Sequence, residues 1–158
     1  MTAVGAPVPG RALPLTDVPD PVFAQAMVGP GAAVEPAPGV VEAVAPVAGT
    51  LVKVHPHAFV VRPADGSPAV LVHLGIDTVQ LAGAPFTVLA AEGDEVAAGA
   101  PVVRWDVTAV IASGRSPVVP VVVLDAPADD VTPVEAVATG AVLAAGDPLL
   151  HVAARRSP

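Results

Sequence analysis

Twenty prolines and fourteen glycines are scattered along all 158 residues of this chain, so no long stretch escapes a residue that interrupts regular structure. Proline lacks the amide proton that a helix interior or a central strand uses, and glycine is the residue of turns and left-handed corners. Long helices are therefore excluded as the main element. Between the interruptions run short segments rich in valine: Gly49 to Val54, Ala58 to Arg62, Ala69 to Ile76, Pro101 to Trp105 and Val118 to Leu124. β-branched residues bounded by turn residues are the pattern of strands. The expected fold is all-β, with at most a helical turn near Pro21 to Ala26 and another near Val131 to Val137.

Two internal repeats refine this expectation. Ala6-Pro7-Val8-Pro9-Gly10 returns as Ala45-Pro46-Val47-Ala48-Gly49, and Gly93 to Pro101 returns as Gly140 to Pro148. Each second copy leads into an apolar segment. A repeated turn-and-strand unit predicts two similar halves around one core, an antiparallel sandwich-like barrel with internal duplication. A chain of this length fits one domain, residues 1–158.

Composition narrows the chemistry. Cysteine is absent, which removes disulfides, thiolate metal sites and a cysteine nucleophile. Fifteen acidic residues against seven basic ones, with no basic run beyond Arg155-Arg156, argue against nucleic acid, whose phosphate backbone needs clustered cations. A basic protein partner suits such a surface better. The apolar stretches are broken well before they are long enough to span a bilayer, and Met1 to Gly10 does not read as a signal peptide. A cytoplasmic protein without membrane insertion is expected.

Three of the four histidines, His55, His57 and His73, fall within nineteen positions and flank an expected hairpin whose turn is Pro63 to Pro68. Register decides whether His57 and His73 cooperate. A loop of odd length centred on Asp65 pairs them directly, with Cβ atoms about 5 Å apart. A two-residue Asp65-Gly66 turn puts them on opposite faces. His73 lies in the otherwise apolar run Val70 to Ile76, where an imidazole needs a partner or a function. Gly75 leaves room on the same face, and Asp77-Thr78 brings a carboxylate that orients an imidazole or meets a partner's cation. A neutral imidazole nitrogen is a nucleophile near pH 7, and a second imidazole can hydrogen-bond phosphoryl oxygens in the transition state. No glycine-rich phosphate loop with its lysine is present, so the phosphoryl donor is expected to be a phosphoprotein and not ATP. His151 and Trp105 read as structural.

The segment Val72-His73-Leu74-Gly75-Ile76-Asp77-Thr78-Val79-Gln80-Leu81 resembles the active-site segment of the glucose-type IIA components of the bacterial sugar phosphotransferase system. The resemblance extends in order through Val18 to Ala24, Met27-Val28-Gly29, Ala45 to Gly49, His57-Ala58-Phe59, Gly83 with Phe86, and Glu92 to Val96. It implies that His73 accepts a phosphoryl group from the phosphocarrier HPr and passes it to a IIB domain, within a IIB component or a IIBC membrane permease, and thence to the sugar. It also implies that His57 stabilises the phosphoryl group, and that Val22, Phe23, Met27 and Val28 form a docking rim. Where such proteins usually carry a small hydroxylic residue, this chain has His55, which either hydrogen-bonds His57 or is exposed. No cofactor is expected. Two other readings are a non-catalytic regulator of transporters or kinases acting through the same face, and a Zn²⁺ site on His57 and His73 completed by a partner's carboxylate.

Overall fold

Among the described residues of the computed structural model, 1–153, fourteen strands pair throughout in antiparallel fashion and none exceeds seven residues. Arg155-Arg156 lies outside them. The largest sheet has eight strands, in the spatial order Val142–Leu143, Gly10–Pro14, Gly31–Glu35, Val119–Val123, Val70–His73, Ala58–Pro63, Gly49–His55 and Glu95–Val96. Two three-stranded sheets complete the sandwich. One is built around Pro148–Val152, between Thr2–Gly5 and Val131–Pro133, and the other around Pro101–Asp106, between Val40–Val44 and Phe86–Val88. The sheets stay open.

The duplication read from the repeats is visible in reciprocal hydrogen bonds. Gly5 N–H donates to the Pro46 carbonyl at 2.9 Å, while Val44 N–H donates to Pro7 at 2.8 Å. Ala6 likewise exchanges bonds with Asp147 and Gly146, as Ala45 does with Ala100 and Gly99. The two Ala-Pro-Val segments thus occupy equivalent places about an approximate twofold axis. Gly10 and Gly49 open equivalent strands, and at each a Cβ would collide with the carbonyl of a neighbouring strand, Glu35 or Arg62. Glycine is required there by close approach of backbones.

Three short α-helices occur among the described residues, one more than the sequence suggests. Pro21–Ala24 is started by Asp20, whose carboxylate accepts from Val22 N–H at 2.8 Å, with proline at the first helical position. Val107–Ala112 is the additional one, unexpected because its Val, Thr and Ile content favours strands. Asp106 caps it through Ala109 N–H at 3.2 Å. The helical turn expected over Val131 to Val137 lies later, at Glu135–Thr139, since Val131–Pro133 pairs as a strand.

Two apolar clusters lie on either side of the large sheet. The main core includes Leu51, Phe59, Val61, Val70, Val72 and Trp105. A smaller one, with Leu13, Leu15, Val18, Phe23, Ala33, Ile76, Val118 and Val122, covers part of the outer face, and Leu71 packs against it. Alternation along Val70–His73 explains the division: Val70 and Val72 point into the main core, which leaves Leu71 and His73 on the outer face. The strand is shorter than the expected Ala69 to Ile76 because a left-handed Gly75, φ 82°, turns the chain away.

Candidate active site

His57 and His73 converge, with ring centroids 5.2 Å apart at an interplanar angle of 72°. Direct cross-strand pairing is not the route. The strand ladder sets Ala58, not His57, opposite His73, followed by Phe59 with Val72 and Val61 with Val70. Strict alternation would then bury His57 on the side of Phe59 and Val61. It escapes because it is not in a strand. His55 pairs directly with Ala58, so Pro56-His57 forms a two-residue turn in which the chain reverses and alternation no longer applies. Proline at the first turn position presets that reversal. The His57 carbonyl still holds the ladder by accepting from Leu74 N–H at 2.7 Å.

The His73 ring is fixed by the carbonyl of Gly75, to which Nδ1 lies at 2.6 Å. A carbonyl only accepts, so Nδ1 carries the proton and Nε2 carries the lone pair. The orienting acceptor is therefore this carbonyl and not the Asp77 carboxylate, as the sequence suggests. Asp77 is exposed, with φ 60°, and it precedes the 3-10 turn Thr78–Leu81. Thr78 is fully buried, and its hydroxyl donates to the Leu74 carbonyl at 2.7 Å, tightening the loop that presents Gly75. Gly75 does not leave space beside His73: a Cβ there would lie 2.6 Å from Thr78 Cγ2 and 3.0 Å from the Ser116 carbonyl.

Phe23 is buried, and its ring lies 5.3 Å from that of His73 at 57°. It supports the imidazole from below and is not part of an exposed rim. Val22 and Met27 are exposed, at 44% and 70%, and Val28 is half-buried against the smaller cluster. His55 is exposed, and its ring lies over that of His57 at 5.8 Å and 25°. Its ring is thus near-parallel to and offset from that of His57. His151 lies in the central strand of the sheet remote from this site, and Trp105 stacks on Phe86 within the core.

Burial lowers the pKa of His73 below the ordinary histidine value, against opposition from the Gly75 carbonyl and the nearby carboxylates of Asp20 and Asp77. His57 is lowered too, first by burial and then by the neighbouring His73 and His55. Both rings are therefore neutral at pH 7, one able to act as a nucleophile and the other as a hydrogen-bond donor. Among the described residues no group of three or more His, Asp or Glu side chains is gathered to hold a metal ion. No helix of the described residues is long and apolar enough to cross a membrane. Sequence reasoning missed the Gly75 carbonyl and Arg115, whose guanidinium grips the loop after His73. The carbonyl is a backbone atom, and Arg115 has in the sequence the character of an ordinary surface cation.

The family described as phosphoenolpyruvate-dependent sugar phosphotransferase system, EIIA 1, matches residues 2–128. The chain is similar to the PTS system glucose-specific EIIA component of Staphylococcus aureus strain Mu50, with 42% identity over 123 residues, 77% of this chain and 72% of that protein. It is 40% identical over 148 residues to the PTS system N-acetylglucosamine-specific EIICBA component of Klebsiella pneumoniae, covering 92% of this chain but 22% of that longer protein. The solved structure of glucose permease IIA from Mycoplasma capricolum superposes with a TM-score of 0.82 at 30% identity, over 94% of each chain. With most of its length matched by the family and its sandwich shared with a solved IIA protein, this chain belongs to the EIIA 1 family and is a phosphoryl-transfer component of the sugar phosphotransferase system.

Proposed function

We propose that His73 is the residue that carries the phosphoryl group, taking it from phospho-HPr and giving it to a IIB domain in the cytoplasm. The lone pair on Nε2 attacks phosphorus. The nitrogen–phosphorus bond of the donor breaks, and its electron pair returns to the donor imidazole. His57 donates a hydrogen bond to the transferred oxygens, whose negative charge favours its protonated form. Reversal of the same geometry passes the group on.

One observation carries the assignment: Nδ1 of His73 is committed to the Gly75 carbonyl at 2.6 Å, which leaves Nε2 as the nucleophile. Exposed Val22 and Met27, beside the His73-supporting Phe23, supply apolar surface for a partner. Relatives named for glucose and for N-acetylglucosamine support a sugar of that class, with the choice made by the permease. Incubation with phosphoenolpyruvate, enzyme I and HPr should label the chain, and His73→Ala should remove the label entirely. Labelling that survives His73→Ala would refute the assignment.

A further inference from the structure

We propose that Arg115 is a positioning residue for phosphoryl transfer, bracing the loop from Leu74 to Leu81 in the shape that presents the Gly75 carbonyl to His73. The inference rests on the reading of His73 as the phosphoryl acceptor. The loop has little support of its own. Gly75 and Asp77 within it, and Ala82 just after it, have left-handed backbones, at φ 82°, 60° and 53°. For a residue other than glycine that conformation costs about 1–2 kcal/mol. The 3-10 turn Thr78–Leu81 starts at Asp77 without a side-chain cap. Within the loop, side-chain support comes from the hydroxyl of Thr78 on the Leu74 carbonyl.

Further support comes from the segment after the helix Val107–Ala112. Arg115 Nε donates to the Asp77 carbonyl at 3.2 Å, and its Nη2 donates to Gln80 Oε1 at 2.9 Å. Nη1 anchors the guanidinium at home on the Ser113 carbonyl, at 3.4 Å. The next residue, Ser116, accepts from Ile76 N–H at 2.9 Å, and its carbonyl is among the atoms packed around Gly75. Arg115 thus spans the left-handed Asp77 peptide and the turn after it. Bonds from a charged donor are stronger than neutral ones, and a planar fork holds two acceptors in fixed relation. Arg11 and Arg104 pair with Glu35 and Glu42, whereas Arg115 directs Nε and Nη2 to a backbone and an amide oxygen of this loop. That choice leaves the Asp77 carboxylate facing solvent beside the site.

The test compares the full chain with Arg115→Ala and Arg115→Lys. Two readouts are used: the His73 tautomer, from long-range ¹H–¹⁵N spectra at about pH 8, where imidazoles are neutral, and the initial rate of phosphorylation by phospho-HPr. In Arg115→Ala, His73 should shift from the Nδ1–H tautomer toward a mixture. The rate at saturating HPr should fall about tenfold, as for loss of outer-shell support elsewhere, with KM for HPr little changed. Arg115→Lys, which can still reach one carbonyl, should recover part of the rate. An unchanged tautomer overturns the proposal, whether the rate is unaltered or lost wholly through KM, the latter meaning that Arg115 contacts the partner. If Arg115→Ala fails to fold, Gln80→Ala, which removes one anchor of the guanidinium, should move both readouts less in the same direction, and no movement overturns the proposal. A wild-type chain unlabelled on His73 would instead sink the acceptor assignment, while the tautomer measurement, which needs no phosphate, still decides whether Arg115 orients the His73 ring.

Discussion

The ring of His57 stands edge-on to that of His73 at 5.2 Å although their backbone positions are one residue out of register, because His57 sits in a turn and not in a strand. That placement separates two roles. His73 has its own orienting bond and does not need His57 to act as a nucleophile. His57→Gln should therefore still be phosphorylated by HPr, but onward transfer to a IIB domain should slow by about a hundredfold or more, the scale of a lost acid–base or charge-stabilising group. Single-turnover kinetics of the purified phosphoprotein check this, and full onward transfer would remove His57 from the reaction.

Gly75→Ala should damage both folding and chemistry. At φ 82° an alanine is strained, and its Cβ would meet Thr78 Cγ2 at 2.6 Å and the Ser116 carbonyl at 3.0 Å. A loss of about 1–3 kcal/mol in urea unfolding is expected from backbone strain of this kind. The displaced carbonyl should free His73 Nδ1 and slow phosphorylation by more than the stability loss accounts for. A variant with normal phosphorylation and reduced stability would show that the His73 bond is dispensable.

Acid should switch off acceptance later than an ordinary histidine would. Burial holds His73 below its usual pKa, so its lone pair persists as pH falls through about 6.5 and is lost only at lower pH. The same shift has a stability consequence. The unfolded chain binds protons first, so the contribution from His73 and His57 is fully present above about pH 6.5 and declines as pH falls toward their folded values. A pH profile of initial labelling rate checks the first claim. A midpoint above the usual histidine value would contradict it.

Much of this organisation is legible in the residues, and the failures are instructive. Alternation of Val70, Leu71, Val72 and His73 suffices to set His73 apart from the core, and the two Ala-Pro-Val segments reveal the pseudo-symmetry that their reciprocal bonds display. The hairpin register stays open in the sequence because Pro63 to Pro68 allows either parity, and the convergence of the imidazoles arises from the Pro56-His57 turn instead. Phe23 resembles an exposed anchor in a sequence, yet the start of its helix at Asp20 rotates it inward onto His73 while leaving Val22 outside. Hydrogen bonds from a loop arginine to backbone carbonyls leave no periodic trace, so the place of Arg115 emerges only in the folded chain.

Another stabilising device lies away from the site. Thr2 Oγ1 donates to Asp65 Oδ2 at 2.5 Å and lies 2.7 Å from Ser67 Oγ, while Asp65 Oδ1 accepts from Ser67 N–H at 2.9 Å. These bonds, that from Thr2 foremost, lower the Asp65 pKa to about 2. Its stabilising effect should be present above about pH 4 and disappear as pH falls toward the folded value. Asp65→Asn should lower the melting temperature slightly at pH 7 and by much less near pH 2, with phosphorylation unaffected. An equal effect at both pH values would mean that the carboxylate charge is irrelevant.

The most direct test is to phosphorylate the full chain through enzyme I and HPr and locate the phosphate by mass spectrometry and ³¹P–¹⁵N correlation under alkaline conditions. A single acid-labile phosphate on Nε2 of His73 is predicted. A phosphate on His55 or His57, or on Nδ1 of His73 with its bond to Gly75 broken, would contradict the account.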